Sequence, residues 1–190
     1  TKPSLLPVLR RQRKEAIQSR RVQESPFVQL ARVTVENHLL GKELTVEAEL
    51  PAEAQDPAGA FVSIKKHGQL RGCIGTIFPT QPSFAEEIKH NAISAAFQDP
   101  RFEPVEEEEL GDLVYSVDRI KTPEPINGPE ALDPEKYGVI VRSRGRLGLL
   151  LPNLEGIETV EEQVAIAKQK AGIAKHEAVE MERFEVIRYS

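Results

Sequence analysis

Two strand-like runs joined by a short glycine-containing turn constrain the fold of this chain more than any other feature. The runs are residues 60–65 and 69–77, and Lys66-His67-Gly68 joins them. So short a connection is typical of a β-hairpin, because it brings the second strand back antiparallel to the first. The sequence therefore predicts an antiparallel pair in the first half of the chain.

A second hairpin and two single strands are predicted later in the chain. Residues 139–142 and 147–151 flank a turn at Ser143-Arg144-Gly145. The single strands are residues 113–120 and 182–189. A stretch rich in proline and glycine, residues 122–134, is predicted to be a connection without regular structure.

Three helices are predicted from their capping residues. Ser25-Pro26 has the residues of an N-cap and a first helical position, and opens the first helix. Ser83-Phe84-Ala85-Glu86 has the capping-box pattern and opens the second, which ends near Asp99-Pro100. A third helix covers residues 159–171. Helices mixed with hairpins favour an α+β fold with a mainly antiparallel sheet and flanking helices.

Charge is unevenly distributed along the chain. Residues 1–24 hold seven basic and two acidic side chains, so this basic N-terminal arm carries +5. Because the whole chain carries −5, the domain predicted for residues 25–190 carries −10. An acidic domain disfavours a broad nucleic-acid surface. The arm either contacts RNA or an acidic partner, or is simply a solvated helix or frayed tail.

Composition excludes several kinds of site. A single cysteine excludes an internal disulfide and a cysteine-based zinc cage, and the four histidines are scattered. No metal site is therefore predicted. No apolar run has the length of a membrane helix, and no signal-peptide pattern opens the chain, so we expect a cytoplasmic protein with no membrane association. Nucleotide-binding loops and the common metal motifs are also absent from the sequence.

The only cysteine lies in Leu70-Arg71-Gly72-Cys73-Ile74-Gly75. Strand alternation puts Arg71, Cys73 and Gly75 on one face, with Leu70 and Ile74 in the core. On that face Arg71 would favour the Cys73 thiolate, so both are candidate catalytic residues. Gly72 and Gly75 allow close approach of a ligand and are candidate binding residues. The alternative is that Cys73 is a small buried side chain.

Three further groups are weaker candidates. Asp99 and Arg101 either bind a ligand or fix the loop that follows the second helix. Arg142, Arg144 and Arg146 form either a small anion-binding patch or a solvated turn. His90 lies on the helix that follows the first hairpin and is a candidate base for Cys73.

The hexapeptide at residues 70–75 and the later segment Ala95-Ala96-Phe97-Gln98-Asp99-Pro100-Arg101-Phe102 resemble the AMMECR-type domain family, whose microbial members are called AmmeMemoRadiSam system protein A. Matches at residues 148–152 and 170–173 extend the resemblance from about Ser25 to the C-terminus. It implies two unequal parts around a cleft, the larger containing both chain ends. It also implies association with a Memo-like protein and a radical-SAM protein, and a link to RNA modification, but no established reaction or cofactor.

Two features depart from the family pattern. The arm 1–24 lies outside it, and Gln169 stands where the family often has a cysteine, which disfavours a two-cysteine mechanism. Three functions then compete. The first is an enzyme or enzyme subunit, with Cys73 as nucleophile and Arg71 and Arg101 holding an anionic substrate. The second is a non-catalytic adaptor for a Memo-like or radical-SAM partner. The third is an RNA-binding accessory that uses the arm and the arginines near residue 144.

Overall fold

The chain divides into two compact units in a computed structural model that describes residues 5–43, 45–46 and 49–190. The first unit comprises residues 1–119 and 188–190, and the second comprises residues 120–187. The α-helices of the described residues are α1 (Leu6–Gln23), α2 (Pro26–Leu40), α3 (Phe84–Phe97) and α4 (Val160–Lys170).

Eight strands in the same described residues form two four-stranded sheets, so the predicted α+β class is confirmed. The strands are β1 (Gly59–Lys66), β2 (Gln69–Gly75), β3 (Leu113–Ile120), β4 (Glu124–Ile126), β5 (Gly138–Ser143), β6 (Arg146–Leu150), β7 (Glu180–Phe184) and β8 (Val186–Tyr189). The first sheet has the order β2-β1-β3-β8 and the second β4-β7-β5-β6. Both predicted hairpins are present as antiparallel pairs, β1 with β2 and β5 with β6.

Turn chemistry explains both hairpins. His67 and Gly68 have φ of 52° and 78°, and Arg144 and Gly145 have φ of 48° and 79°. Two successive residues with positive φ form the tight turn whose twist matches that of the strands, and a glycine in the second position relieves its strain. The loops are therefore two residues long, shorter than the predicted connections of three residues (66–68) and four residues (143–146).

The core of the first unit lies between its sheet and the helices α2 and α3. Phe27 packs edge-to-face on Phe84 at 5.0 Å and on Tyr189 at 4.8 Å between ring centroids. Val62 and Ile64 of β1 are fully buried in the same core. One face of the first sheet is therefore covered by helices.

The predicted N-caps form, but within the described residues the second half of the predicted capping box does not, because the Glu86 carboxylate accepts from Lys89 instead of from the Ser83 backbone. The Ser25 hydroxyl accepts a hydrogen bond from the backbone N–H of Val28, and the Ser83 hydroxyl accepts one from the backbone N–H of Glu86. Gly41 ends α2 with a left-handed φ of 62°. These local signals place both helices to within one or two residues.

In the second unit, α4 packs on β5 and β6. A Cβ at Gly148 of β6 would overlap the carbonyl oxygen of Ala167, so the helix lies directly against the strand. Gln163 is fully buried and its side-chain amide donates to the carbonyl oxygen of Tyr137 at 2.7 Å.

Two expectations about the second half of the chain are wrong. The predicted closing strand 182–189 is two strands, β7 and β8, which belong to different sheets. Alternation cannot reveal the change, because both strands have the same period of two. The predicted connection 122–134 contains the short strand β4, which pairs with β7 although Pro125 lies within it. An edge position in the sheet tolerates that proline.

Along the described part of the chain, no helix combines the length and the apolar character that crossing a bilayer requires.

Candidate functional site

A β-bulge at Arg71 sets the geometry of the hexapeptide. Lys65 pairs with Leu70, but the preceding residue Ile64 pairs with Gly72, so Arg71 is an extra residue on β2. Leu70 is 41% exposed, so the expectation that it lies in the core is wrong. The bulge changes the alternation on its N-terminal side, and only Ile74 packs against the core as predicted.

Arg71 is held by a carboxylate rather than by the cysteine. Its guanidinium donates two hydrogen bonds of 3.0 Å to Glu109 and one of 2.7 Å to the carbonyl oxygen of Glu103. Lys66 donates to the same Glu109 carboxylate at 2.9 Å. The Arg71 guanidinium and these other donors lower the pKa of Glu109 to about 2. Arg71 therefore fastens β2 to the segment after α3.

Close packing accounts for both glycines of the hexapeptide. A Cβ at Gly72 would overlap the carbonyl oxygen of Ala95 on α3. A Cβ at Gly75 would overlap the ring of Phe61, its partner across the hairpin. Glycine is the residue that permits such approach of backbone or ring.

Cys73 lies on the face of the first sheet opposite α3. It pairs across the hairpin with Ser63, and the two side chains share a hydrogen bond of 3.2 Å between Oγ and Sγ. Gly72 faces α3, so strand alternation turns its neighbour Cys73 away from that helix. His90 lies on α3 and is therefore on the wrong side of the sheet to act as a base for Cys73.

The Asp99-Pro100-Arg101 loop occupies the free edge of β2. The backbone N–H of Cys73 donates to the Asp99 carboxylate at 3.0 Å, and the Arg101 guanidinium donates to the carbonyl oxygen of Cys73 at 3.1 Å. Because β2 is the edge strand, these side chains satisfy groups that a further strand would otherwise satisfy. The Arg101 guanidinium holds the pKa of the buried Asp99 carboxyl well below its usual range.

A second carboxylate–arginine pair lies near Cys73 and was not anticipated from the sequence. The Arg188 guanidinium of β8 donates two hydrogen bonds of 2.8 Å to Asp118 of β3. Asp118 is only 3% exposed, whereas the Arg188 side chain is 48% exposed. No sequence spacing relates the two residues, since they are 70 positions apart.

Burial raises the pKa of the Cys73 thiol, although the hydrogen bond with Ser63 and the charge of Arg101 act in the opposite direction. The negative charges of Asp118 and Asp99 also raise that pKa. Arg71 is bound to Glu109 and to the carbonyl oxygen of Glu103 instead. Burial therefore favours the neutral thiol, whereas the sequence interpretation expected a thiolate favoured by Arg71.

The two arginines near Cys73 share one design. Arg101 and Arg188 each use Nε and Nη2 to bind a buried carboxylate, and within the described residues neither Nη1 has a hydrogen-bond partner. The Arg101 and Arg188 side chains are 55% and 48% exposed. Anchored guanidiniums with a donor left over suit a carboxylate or phosphate from solution.

The third predicted group lies in the second unit. Arg142 pairs with Glu182 at 3.0 Å, and Arg146 pairs with Glu177 and donates to the carbonyl oxygen of Gly172 at 2.7 Å. Arg144 is exposed at the turn, beside a shallow surface depression. Among the described residues, no three His, Cys, Asp or Glu side chains are grouped so as to hold a metal ion.

Comparison with known proteins gives consistent matches. The AMMECR1 family model matches residues 28–190. A protein from Thermotoga maritima is 51% identical over 170 residues, which cover 87% of this chain and 98% of that protein. Protein CA_C1420 from Clostridium acetobutylicum is 48% identical over 189 residues, which cover 98% of this chain but 40% of that protein.

A solved structure has the same fold. The crystal structure of uncharacterised protein PH0010 from Pyrococcus horikoshii superposes with a TM-score of 0.76 and is 33% identical. The match covers 85% of this chain and 88% of that chain.

Proposed function

This chain belongs to the AMMECR1 family, and we propose that its first unit is a binding domain, which recognises an anionic group of a partner protein at the sheet face around Cys73. The observation that carries the proposal is the pair of anchored arginines, Arg101 and Arg188, each with an unused Nη1. Buried carboxylates fix both guanidiniums, so little side-chain freedom is lost when a partner binds.

The state of the hexapeptide favours binding over catalysis. Arg71 is saturated by Glu109 and by backbone carbonyls, and Gly72 is needed for the contact with α3. Burial raises the pKa of Cys73, and a neutral thiol is a weak nucleophile. Most hexapeptide residues are thus occupied in fixing the strand, and the exposed charged groups come from outside it.

The resemblance names the partners to test first, a Memo-like protein and a radical-SAM protein. A longer relative supports an adaptor function, because in that protein the domain is covalently joined to further sequence. The Clostridium protein contains nearly all of this chain within 40% of its own length, so the same domain occurs there next to other sequence. We therefore assign the anionic group to a carboxylate on a protein partner.

Co-purification with each tagged partner tests the proposal. We expect a complex with at least one of them, and Arg101→Gln and Arg188→Gln should each weaken it by about tenfold, as loss of an interface arginine does. Arg144→Gln, an exposed arginine in the second unit, is the matched control and should bind normally. Circular dichroism melts confirm that the variants are folded. Absence of any complex, or equal binding by all variants, contradicts the proposal.

A second candidate function is a thiol-dependent enzyme, favoured by the partly exposed Cys73 with two guanidiniums nearby. The alkylation rate of Cys73 against pH, followed by intact mass, separates the two functions because no other thiol reacts. The binding domain predicts a midpoint above the free-thiol value of about 8.5. A midpoint clearly below that value, with loss of activity in Cys73→Ser, would favour the enzyme.

A further inference from the structure

Among the described residues, the contacts that fasten helix α1 to the first unit lie in its second half. Ile17 is 8% exposed, and the Arg21 guanidinium donates to the carbonyl oxygen of Leu110 at 2.7 Å. Just after the helix, Glu24 accepts a hydrogen bond of 2.8 Å from Arg32 of α2. These contacts fix the direction of α1 at the segment that precedes β3.

No described residue packs over the first half of α1. The large apolar side chains of this half and of the N-cap are between 53% and 74% exposed; they are Leu5, Leu6, Val8 and Leu9. The basic residues that follow are also exposed, and among the described residues Arg10, Arg13 and Lys14 pair with no carboxylate. At the helical rise, Leu6 lies about 17 Å from Ile17, too far for the anchor to shield it. Clustered exposed apolar residues of this kind mark an interaction surface.

The same unit presents a surface of opposite character. Leu70 is 41% exposed at the start of β2, and Arg71 ties this strand to the carbonyl oxygen of Glu103. The adjoining carboxylates are exposed and form no ion pair with another described residue; they are Glu103, Glu106, Glu107 and Glu108. We name Leu70 with these four carboxylates the acidic surface.

We propose that the first half of α1 of one copy docks on the acidic surface of a second copy, and that the exchange is reciprocal. The arm carries +5 and the remainder of the chain −10, so the arm of one copy is attracted to the body of another. Leu110, which anchors α1, lies beside Glu106–Glu108 in the chain. The base of the arm and the acidic surface of the same copy are therefore next to each other. A two-fold axis near this segment can therefore bring both arms onto both acidic surfaces and close the assembly.

The charge of the body argues against other occupants of the arm. An anionic membrane or an RNA would attract the arm but repel a body of −10. A second copy also supplies an exposed leucine for the apolar residues of the arm, whereas a phosphate backbone does not.

Sedimentation velocity of the whole chain tests the proposal, from about 1 to about 100 µM protein and at about 50 and about 500 mM salt. We expect a dimer that dissociates as salt rises. The paired substitution Arg10→Glu/Arg13→Glu should raise the dimer dissociation constant by at least about tenfold, as should Glu107→Lys/Glu108→Lys. Combining both pairs should restore the dimer. Lys170→Glu/Lys175→Glu changes exposed charges of the second unit and is the control.

Four results would overturn the proposal. They are a monomer under all conditions, a dimer that neither charge reversal weakens, a combined variant that stays monomeric while folded, and a dimer that the control weakens equally. Vesicles containing phosphatidylserine and a short RNA are tested in parallel. Arm-dependent binding to either by a monomeric protein would assign the arm to that ligand and exclude the second copy.

Discussion

Replacing Glu109 with glutamine should destabilise the first unit, because this carboxylate joins three separate parts of it. Glu109 accepts hydrogen bonds from Arg71 of β2 and Lys66 of β1, and from the backbone N–H of Glu106. Its side chain is 15% exposed. Glutamine keeps the shape and one acceptor oxygen but removes the charge that two cations share.

The magnitude follows from the pKa. Glu109 has a pKa of about 2 in the folded protein, against about 4.3 in an unfolded chain, and each unit corresponds to about 1.4 kcal/mol. The upper limit is therefore about 3 kcal/mol. Solvent screening at the partly exposed Lys66 and the acceptor that glutamine retains reduce the expected loss to about 2 kcal/mol.

The effect depends on pH with a defined sign. A carboxyl group whose pKa is lowered by folding stabilises the protein above its unfolded pKa, and this contribution is lost as the pH falls through the folded value. The difference in free energy of unfolding between wild type and Glu109→Gln should thus have its full value at about pH 7. At about pH 3 it should be less than half of that value.

Urea unfolding followed by circular dichroism at both pH values measures the difference, with Glu108→Gln as the control. Glu108 is exposed and undergoes the same change of charge, so its unfolding free energy should change by less than about 0.5 kcal/mol. Equal effects of the two substitutions, or a Glu109→Gln effect that is the same at both pH values, would refute the reasoning.

Three other substitutions follow from the same contacts, each measured by urea unfolding. Gly72→Ala should lower the free energy of unfolding by about 3 kcal/mol, because its Cβ would overlap the carbonyl oxygen of Ala95. The control Gly111→Ala should leave it nearly unchanged, because a Cβ there meets nothing within 4 Å. Similar unfolding midpoints for the two variants would contradict this prediction. Tyr115→Phe should leave the free energy of unfolding unchanged or raise it by up to about 1 kcal/mol, since the buried Tyr115 hydroxyl has no hydrogen-bond partner in the described residues. A clear loss of stability would show that the hydroxyl does have such a partner. Asp99→Asn should lower the free energy of unfolding by about 2 kcal/mol, because the Asp99 carboxylate fixes the edge of β2. An unchanged unfolding midpoint would show that the carboxylate does not stabilise this edge.

Local chemistry made much of the fold predictable. Helices α2 and α3 begin after Ser25 and Ser83, and α2 ends at Gly41. Each of these residues satisfies or terminates backbone hydrogen bonding within a few residues. The same holds for both hairpins, whose turns need positive φ and contain glycine. Such signals depend on neighbours in sequence and therefore survive without any knowledge of tertiary packing.

Features that depend on distant partners were not predictable. The bulge at Arg71 accompanies an ion pair between its side chain and Glu109, 38 residues away. Without the bulge, alternation placed Leu70 in the core and Arg71 beside Cys73. Likewise, Asp118 and Arg188 are isolated charged residues in strand patterns, and only the strand order of the sheet brings them together.

The two sequence segments on which the resemblance rests contact one another in the structure. The Cys73 backbone binds Asp99 and Arg101 through both its N–H and its carbonyl oxygen. Gly72, in turn, touches the helix that leads into Asp99. The two motifs therefore form one set of contacts that fixes the edge of β2. Such contacts restrain the geometry of the strand and do not require these residues to take part in a reaction. It follows that functional differences should be sought in exposed charged groups outside the hexapeptide, with Arg188 first among them.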